Sequence, residues 1–192
     1  SPHLGPPTIG LVYAHPDGEA GASTTWRELV TWENATRGDS SGLSRAFELY
    51  RPAASPLVYR SLVSRFGMEN VYILSAGWGL VRSDYRLPCY DITFAPEARQ
   101  KAPWKYRDPR KTGFMDFQQL PQDLTEPVAF VGSKAYLPQF LSLTSRYQGS
   151  RTVFYNSGQA PRAPGCLLQP FISPNRRTWQ YECALNLGQQ SP

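Results

Sequence analysis

Val71-Tyr-Ile-Leu-Ser-Ala-Gly-Trp-Gly-Leu-Val-Arg-Ser-Asp-Tyr-Arg-Leu-Pro-Cys-Tyr-Asp-Ile-Thr-Phe94 is the stretch on which the reading of this chain turns. Val71 to Leu74 is an unbroken apolar and aromatic run, the pattern of a strand in a parallel sheet covered on both faces. The run stops at Ser75, and Gly77 and Gly79 follow on either side of Trp78. Small residues at a strand end let the backbone approach a ligand closely and adopt positive φ. Ligands of open α/β sheets sit outside the carboxyl ends of the strands. Arg82, Asp84, Arg86, Tyr90 and Asp91 arrive just after that end. The stretch therefore reads as a site, and equally as a Gly-rich turn followed by a solvated loop.

Working outward, the 192 residues suit a single domain, 1–192, with 1–7 as a flexible lead-in and 188–192 as a flexible tail. Aromatics make up 13% and are scattered through 18 prolines and 15 glycines, which implies long, shaped Pro/Gly-rich loops. The net charge of +5 suits a polyanionic partner, although it bears more directly on solubility and steering. Cys89, Cys166 and Cys183 stand far apart without a CxxC, as in a reducing cytoplasm. With His3 and His15 the only histidines, no zinc constellation forms from recognisable spacings, and neither metal nor cofactor is expected. No apolar run approaches the roughly 20 residues of a membrane helix, and no protein partner is evident. The Ser1-Pro2-His3 opening fits a cleavage remnant.

In chain order, Thr8 to Ala14 reads as a first strand ending at His15-Pro16-Asp17-Gly18. His15 is a candidate acid, base or phosphate contact, or simply a surface turn residue. Glu19 to Gly42 is a polar excursion with a helical turn around Trp26 to Val30, its Trp26 and Trp32 either stacking on bases or stapling the loop to the core. Leu43 to Tyr50 has helical spacing, and a second helix runs from Pro56 to Arg65 with Ser55 as N-cap and Gly67 as its stop. Between Ala95 and Gly113, Lys101, Lys105, Arg107, Arg110 and Lys111 interleave with Trp104 and Tyr106. That is the composition of a rim for single-stranded or distorted nucleic acid, or of a solvated charged loop. Phe114 to Leu120 reads as a short helix. Pro127 to Val131 reads as a strand leading through Gly132-Ser133 into a helix from Lys134 to Leu143, and GSK lacks the remaining Walker spacing. Arg151 to Tyr155 is a strand ending at Asn156-Ser157, Cys166 to Leu168 an edge strand, and Asn175 to Leu187 a helix bearing Arg176 and Arg177. The alternation makes the fold α/β, a mostly parallel central sheet flanked by helices.

In such a sheet the strand ends gather Tyr13, His15, Ser75, Gly77, Trp78, Gly79, Ser133 and Asn156 around the loop carrying Asp84, Tyr90 and Asp91. The inventory is rich in amides, hydroxyls, carboxylates and aromatics, and poor in His and Cys. It disfavours thiol and Ser-His-Asp nucleophiles. It suits cleavage of an N-glycosidic bond, in which a carboxylate orients water or stabilises an oxocarbenium-like sugar. Aromatics and amides would hold an extruded base, with Arg82, Lys101, Trp104, Lys105, Arg107, Arg110, Lys111, Lys134, Arg176 and Arg177 along the strand. Asp91 and Asp84 are the candidate carboxylates, with Asn156 and Tyr90 as pocket partners. A turn cap for Asp84 and a structural ion pair for Asp91 are the competing roles.

Arg45-Ala-Phe-Glu-Leu-Tyr50, Tyr72-Ile-Leu-Ser-Ala-Gly-Trp-Gly-Leu-Val81 and Pro88-Cys-Tyr-Asp-Ile-Thr-Phe94 together resemble the pattern A-x-x-LY … ILSA-x-x-GL … PY-D-x-T of a DUF6884-type family of small bacterial and phage proteins. Ser75 to Phe94 is similar, more distantly, to the YaaA family and to a module of tRNA-guanine transglycosylase-type enzymes. The resemblance implies an α/β fold that works on nucleic acid or modified nucleobases. The chain departs from it at Tyr13-Ala-His-Pro16, where relatives tend to carry Cys/Ser-x-x-Lys. The expectation is a DNA glycosylase-like hydrolase acting on double-stranded DNA with an extruded base or on single-stranded DNA. A role in defence against phages with modified DNA suits such an enzyme. A non-catalytic DNA-binding stress protein and an enzyme of free nucleosides or nucleotides are the alternatives.

Overall fold

The computed structural model describes residues 15–21, 24–36, 42–109 and 115–189. The expected strand Thr8 to Ala14, together with Tyr13, Arg110 and Lys111, lies outside the described residues.

The opening stretch folds as a hairpin. β4 (Tyr72–Ser75) pairs antiparallel with β5 (Gly79–Arg82), Ser75 opposite Gly79 and Tyr72 opposite Arg82. The parallel neighbour of β5 is β7 (Phe117–Gln118), which replaces the helix expected over Phe114 to Leu120. The apolar spacing there is ambiguous over so few residues. Tertiary contacts decide it: Phe117 N donates to Trp78 O and Gln119 N to Leu80 O, both at 2.9 Å. The Phe117 ring also stacks on Trp78 at 6.0 Å and 11°.

A second sheet is parallel throughout, in the order β10 (Leu167–Pro170), β9 (Arg151–Tyr155), β8 (Val128–Phe130). Two two-stranded antiparallel pairs complete the strands: β1 (Glu19–Gly21) with β2 (Thr24–Thr25), and β3 (Ser44–Arg45) with β6 (Arg86–Leu87). Helices and strands are mixed as expected. Among the described residues, however, the pairing runs through four small sheets, and the hairpin that carries the opening stretch is antiparallel.

The helices are α1 (Trp26–Thr36), α2 (Ala46–Leu49), α3 (Val58–Phe66), α4 (Ala98–Lys101), α5 (Leu137–Leu143) and α6 (Trp179–Gln189). α3 stops where expected: Gly67 takes φ 83° and its N–H caps Val63 O. Its start differs from the expectation. Leu57 is the N-cap residue, and Ser55 contributes only its carbonyl, to Val58 N. α1 runs eleven residues rather than one turn, with Trp26 buried as a staple and Trp32 exposed.

Two cores matter for the site. One gathers Trp26, Val30, Tyr50, Ile73, Trp78, Val81, Leu87 and Tyr90 around the hairpin. The other, around Phe130, Phe140 and Val153, fills the space between α5 and the parallel sheet. Leu74 packs against it, so β4 touches both. Among the described residues no helix is long and apolar enough to cross a membrane.

Candidate functional site

The turn between β4 and β5 is Ala76-Gly77-Trp78, and two of its amides bond back to Ser75. Ser75 Oγ accepts from Gly77 N at 3.1 Å and from Trp78 N at 2.9 Å. Ser75 Oγ also shares a hydrogen bond with Tyr90 Oη, 2.5 Å away. Gly79 has φ 88°, and a Cβ there would run into the Phe117 backbone and sit 2.7 Å from Asp116 Cβ. A Cβ on Gly77 would sit 3.0 Å from the Tyr90 ring. These glycines thus admit the chain's own strand β7 and the Tyr90 ring. Ser75, Trp78, Gly79 and Tyr90, expected to line a pocket, are buried framework instead, with Trp78 at 0% exposure.

Arg107, expected on a nucleic-acid rim, is the clamp of this framework. Its Nη1 donates to Ala76 O at 2.8 Å and to Asp116 Oδ1 at 2.6 Å, and Nη2 donates to Asp116 Oδ2 at 2.8 Å. The guanidinium lies over the Phe94 ring, 5.4 Å from its centre. Gln139 of α5 donates from Nε2 to Ser75 O at 3.1 Å and to Asp116 Oδ2 at 3.2 Å. The fork geometry matches two carboxylate oxygens and leaves a third donor position for the turn. Sequence reasoning missed Asp116 and Gln139. The available signal was that Asp116 is the only acidic residue between Pro109 and Gln122, beside a run of unmatched cations.

Above this floor lies a cleft of about 180 Å³ lined by His15, Ala76, Gly77, Ile92, Trp104, Lys105, Tyr106 and Arg107. The 102–107 segment is pinned beside the 91–94 segment. Thr93 N donates to Lys105 O and Arg107 N to Thr93 O, each at 2.9 Å, closing a parallel bridge between Thr93 and Tyr106. Lys105 Nζ donates to Asp91 Oδ2 at 3.1 Å, with both side chains about a quarter exposed. Trp104, at 65% exposure, stands at the edge of the cleft. His15 enters from the turn before β1, its Nδ1 accepting from Asp17 N at 3.1 Å. Burial, reinforced by the Asp91 carboxylate, pushes the Cys89 thiol up, which disfavours it as a nucleophile.

The structure thus brings His15, Gly77, Trp104, Lys105 and Arg107 to one cleft, with Asp91 attached through Lys105. The other candidates go elsewhere. Asp84 is held in a fork by Arg82, at 2.6 and 2.9 Å. Both belong to the far end of the hairpin, three residues and so about 10 Å of strand from the Ser75–Gly79 end. Asn156 donates to Ser173 O at 2.9 Å, and Ser173 Oγ donates to Glu182 Oε2 at 2.7 Å, which ties the strand after β9 to α6. Its role in the fold is an anchor. Ser133 and Lys134 are exposed in the turn preceding α5, which begins only at Leu137. Lys101 at the end of α4, and Arg176 and Arg177 before α6, are exposed away from the cleft lining.

Comparison with known protein families, curated proteins and solved structures finds no match.

Proposed function

We propose that this cleft receives a single nucleobase and that the protein is a DNA glycosylase-like hydrolase. The observation that carries the reading is the exposed Trp104 ring beside the Lys105–Asp91 pair on a cleft of about 180 Å³. That volume is of the order of one flat heterocycle, and an aromatic face is what an extruded base stacks on. Asp91 is the carboxylate. In the proposed step a water oxygen bonds to the sugar C1′ as the C1′–N bond breaks, the bonding pair leaves with the base, and Asp91 takes the water's proton. Lys105 holds Asp91 in place, with Nζ 3.1 Å from Oδ2. Asp84 and Asn156 have no part in this step, since Arg82 and Ser173 occupy them.

The DUF6884-type resemblance, distantly shared with YaaA and transglycosylase-type modules, supports nucleobases as the ligand class because Ala76, Gly77 and Ile92, from its best-matching stretches Tyr72 to Val81 and Pro88 to Phe94, line this cleft. DNA in a cytoplasmic setting, defence against phages with modified DNA, and a mostly parallel sheet as the wider frame belong to the same proposal. The engagement of Asp91 by Lys105 favours one competitor, a non-catalytic DNA-binding protein in which the pair is structural.

The test is incubation with genomic DNAs of differing base modification, with released bases read by mass spectrometry and abasic sites by alkali lability. Release by the wild type and not by Asp91→Asn is the expected result. Salt-dependent DNA binding without release from any of these DNAs would replace the hydrolase with the binding protein.

A further inference from the structure

Three cations that the cleft does not use stand together at the parallel sheet. β8, β9 and β10 run the same way, with Phe130 opposite Val153 and Tyr155 opposite Pro170, so their carboxyl ends share one edge. That edge is where an open parallel sheet receives ligands. Beyond it, the turn after β8 carries Lys134 and the turn after β10 carries Arg176 and Arg177, all three exposed. Neighbouring strands lie about 4.8 Å apart, so the ends of β8 and β10 flank that of β9 at about 10 Å.

The turn bearing the two arginines is held from beneath. Asn156 Nδ2 donates to Ser173 O at 2.9 Å, and Asn175 N donates to Ser173 Oγ at 3.0 Å. Trp179 N donates to Asn175 O at 2.9 Å, and the Phe171 and Trp179 rings lie 6.4 Å apart. The carboxylate at this turn, Glu182, accepts from Ser173 Oγ at 2.7 Å and from Asn175 Nδ2. Among the described residues, none of the ion pairs involves Lys134, Arg176 or Arg177.

This edge adjoins the cleft wall. Tyr136 N donates to Ser133 O at 3.0 Å, and the Tyr136 ring meets Phe94 edge-on at 4.9 Å and 72°. Phe94 follows Thr93, which is bridged to Tyr106 in the wall. Lys134 is two residues from Tyr136, so at most about 7 Å of chain separates them. Tyr181 of α6 sits beside the same ring: burial pushes the Tyr136 phenol up, and the Tyr181 phenol pushes it further. The cleft wall, the Lys134 turn and the start of α6 thus meet around Tyr136.

We infer that the partner is a polynucleotide whose backbone leaves the cleft past Tyr136 and crosses the carboxyl edge of β8, β9 and β10, its phosphates on Lys134, Arg176 and Arg177. The span between β8 and β10 equals about three nucleotides of one strand at about 3.4 Å each. A free nucleoside has no flanking phosphates to offer these cations. This rests on the reading of the cleft as a nucleobase site and is independent of whether the base is cleaved from its sugar.

Fluorescence anisotropy of a labelled single-stranded oligonucleotide and of its duplex, titrated with the full chain over a range of salt concentrations, tests it. Replacing Lys134, Arg176 and Arg177 together with Ala lowers the slope of log affinity against log salt by about 2 to 3, each phosphate contact contributing about 0.7 on a single strand and about 0.9 on a duplex. Arg176→Lys with Arg177→Lys keeps the charges and the wild-type slope, which separates lost contacts from lost folding. Arg146→Ala leaves the slope unchanged, because Arg146 is an exposed cation at the opposite edge, where Arg151 at the start of β9 donates to Thr144 O. The inference is overturned if the triple variant keeps the wild-type slope, if Arg146→Ala lowers the slope as much per charge, or if the wild type binds neither oligonucleotide. A reduced slope in the triple variant with no base released from any DNA would remove the hydrolase and leave this surface standing. Base release with an unaltered slope in the triple variant would remove this surface and leave the hydrolase.

Discussion

Trp78 and Trp104 sit in stretches of similar make-up, an aromatic among small, polar and charged residues, yet the fold uses them in opposite ways. Trp78 has no exposed surface, stacks on Phe117 and belongs to the core beneath the hairpin. Trp104 keeps 65% of its surface open at the edge of the cleft. The difference follows from their neighbours. Trp78 is flanked by β4 and β5, both with apolar residues to bury, and its turn satisfies its amides on Ser75 Oγ. Trp104 sits between Pro103 and Lys105 in a short 3₁₀ turn whose backbone is used in holding the segment to Thr93.

The same contrast recurs in two ion pairs. Arg107 and Asp116 have side chains 8% and 12% exposed, against 23% and 29% for Lys105 and Asp91. A buried fork whose partner is removed leaves an uncompensated charge, at a cost of about 3–5 kcal/mol. A partly solvated pair is worth about 0–1 kcal/mol. Arg107→Ala and Asp116→Ala should therefore each lower the free energy of unfolding by about 3–5 kcal/mol in urea denaturation, and Trp78→Ala by a similar amount. Lys105→Ala and Trp104→Ala should stay within about 1 kcal/mol of the wild type. Equal losses in the two sets would mean that the cleft wall is as structural as its floor.

At the cleft, Asp91→Asn should cost about 10²- to 10⁴-fold in base release, the range of a positioned acid–base group, at nearly unchanged stability. A loss of folding in place of a loss of turnover would make Asp91 a structural residue. DNA affinity gives a smaller effect. Removing the Lys105 charge should reduce the slope of log affinity against log salt by about one, since each phosphate contact contributes about that much. An unchanged slope would take Lys105 out of the interface and leave the neighbouring exposed Lys101 to be tested next.

How much of this was legible beforehand depended on the range of the interaction. β9 begins and ends where the apolar run Arg151 to Tyr155 does, and α3 stops at Gly67 because its left-handed φ is written in one residue. The cleft was half legible: His15, Gly77, Trp104, Lys105 and Asp91 were all candidates, and their convergence is new. The clamp was not legible, because Gln139 reaches Ser75 O across 64 residues and neither residue type announces the other. Phe117 was misread as helical because two residues cannot show a period, and only the Trp78 ring opposite settles it. Asp84 and Asn156 were misplaced through an assumed single sheet edge. With the hairpin antiparallel, Asp84 lies at the end opposite the Ser75–Gly79 turn, and Asn156 anchors Ser173.

The subtlest difference between floor and cleft is invisible near neutral pH and emerges on the alkaline side. Tyr50, packed against Tyr90 in the core below the hairpin, is pushed well above its ordinary value by burial, and so is Tyr59 beside it. A phenol whose folded value lies above its unfolded one binds its proton more tightly in the fold. Its contribution is fully present below the unfolded value near 10 and declines as pH rises through that value toward the higher folded one. Urea midpoints should therefore be flat from about pH 7 to 9 and fall above about pH 10. Tyr50→Phe should make that fall shallower, because a ring without a hydroxyl has no proton to hold. An alkaline slope identical in wild type and Tyr50→Phe would mean that the hydroxyl reaches water in the folded protein. The floor would then be wetter than the burial of Tyr50 and Trp78 implies, and the contrast between Trp78 and Trp104 would be one of degree.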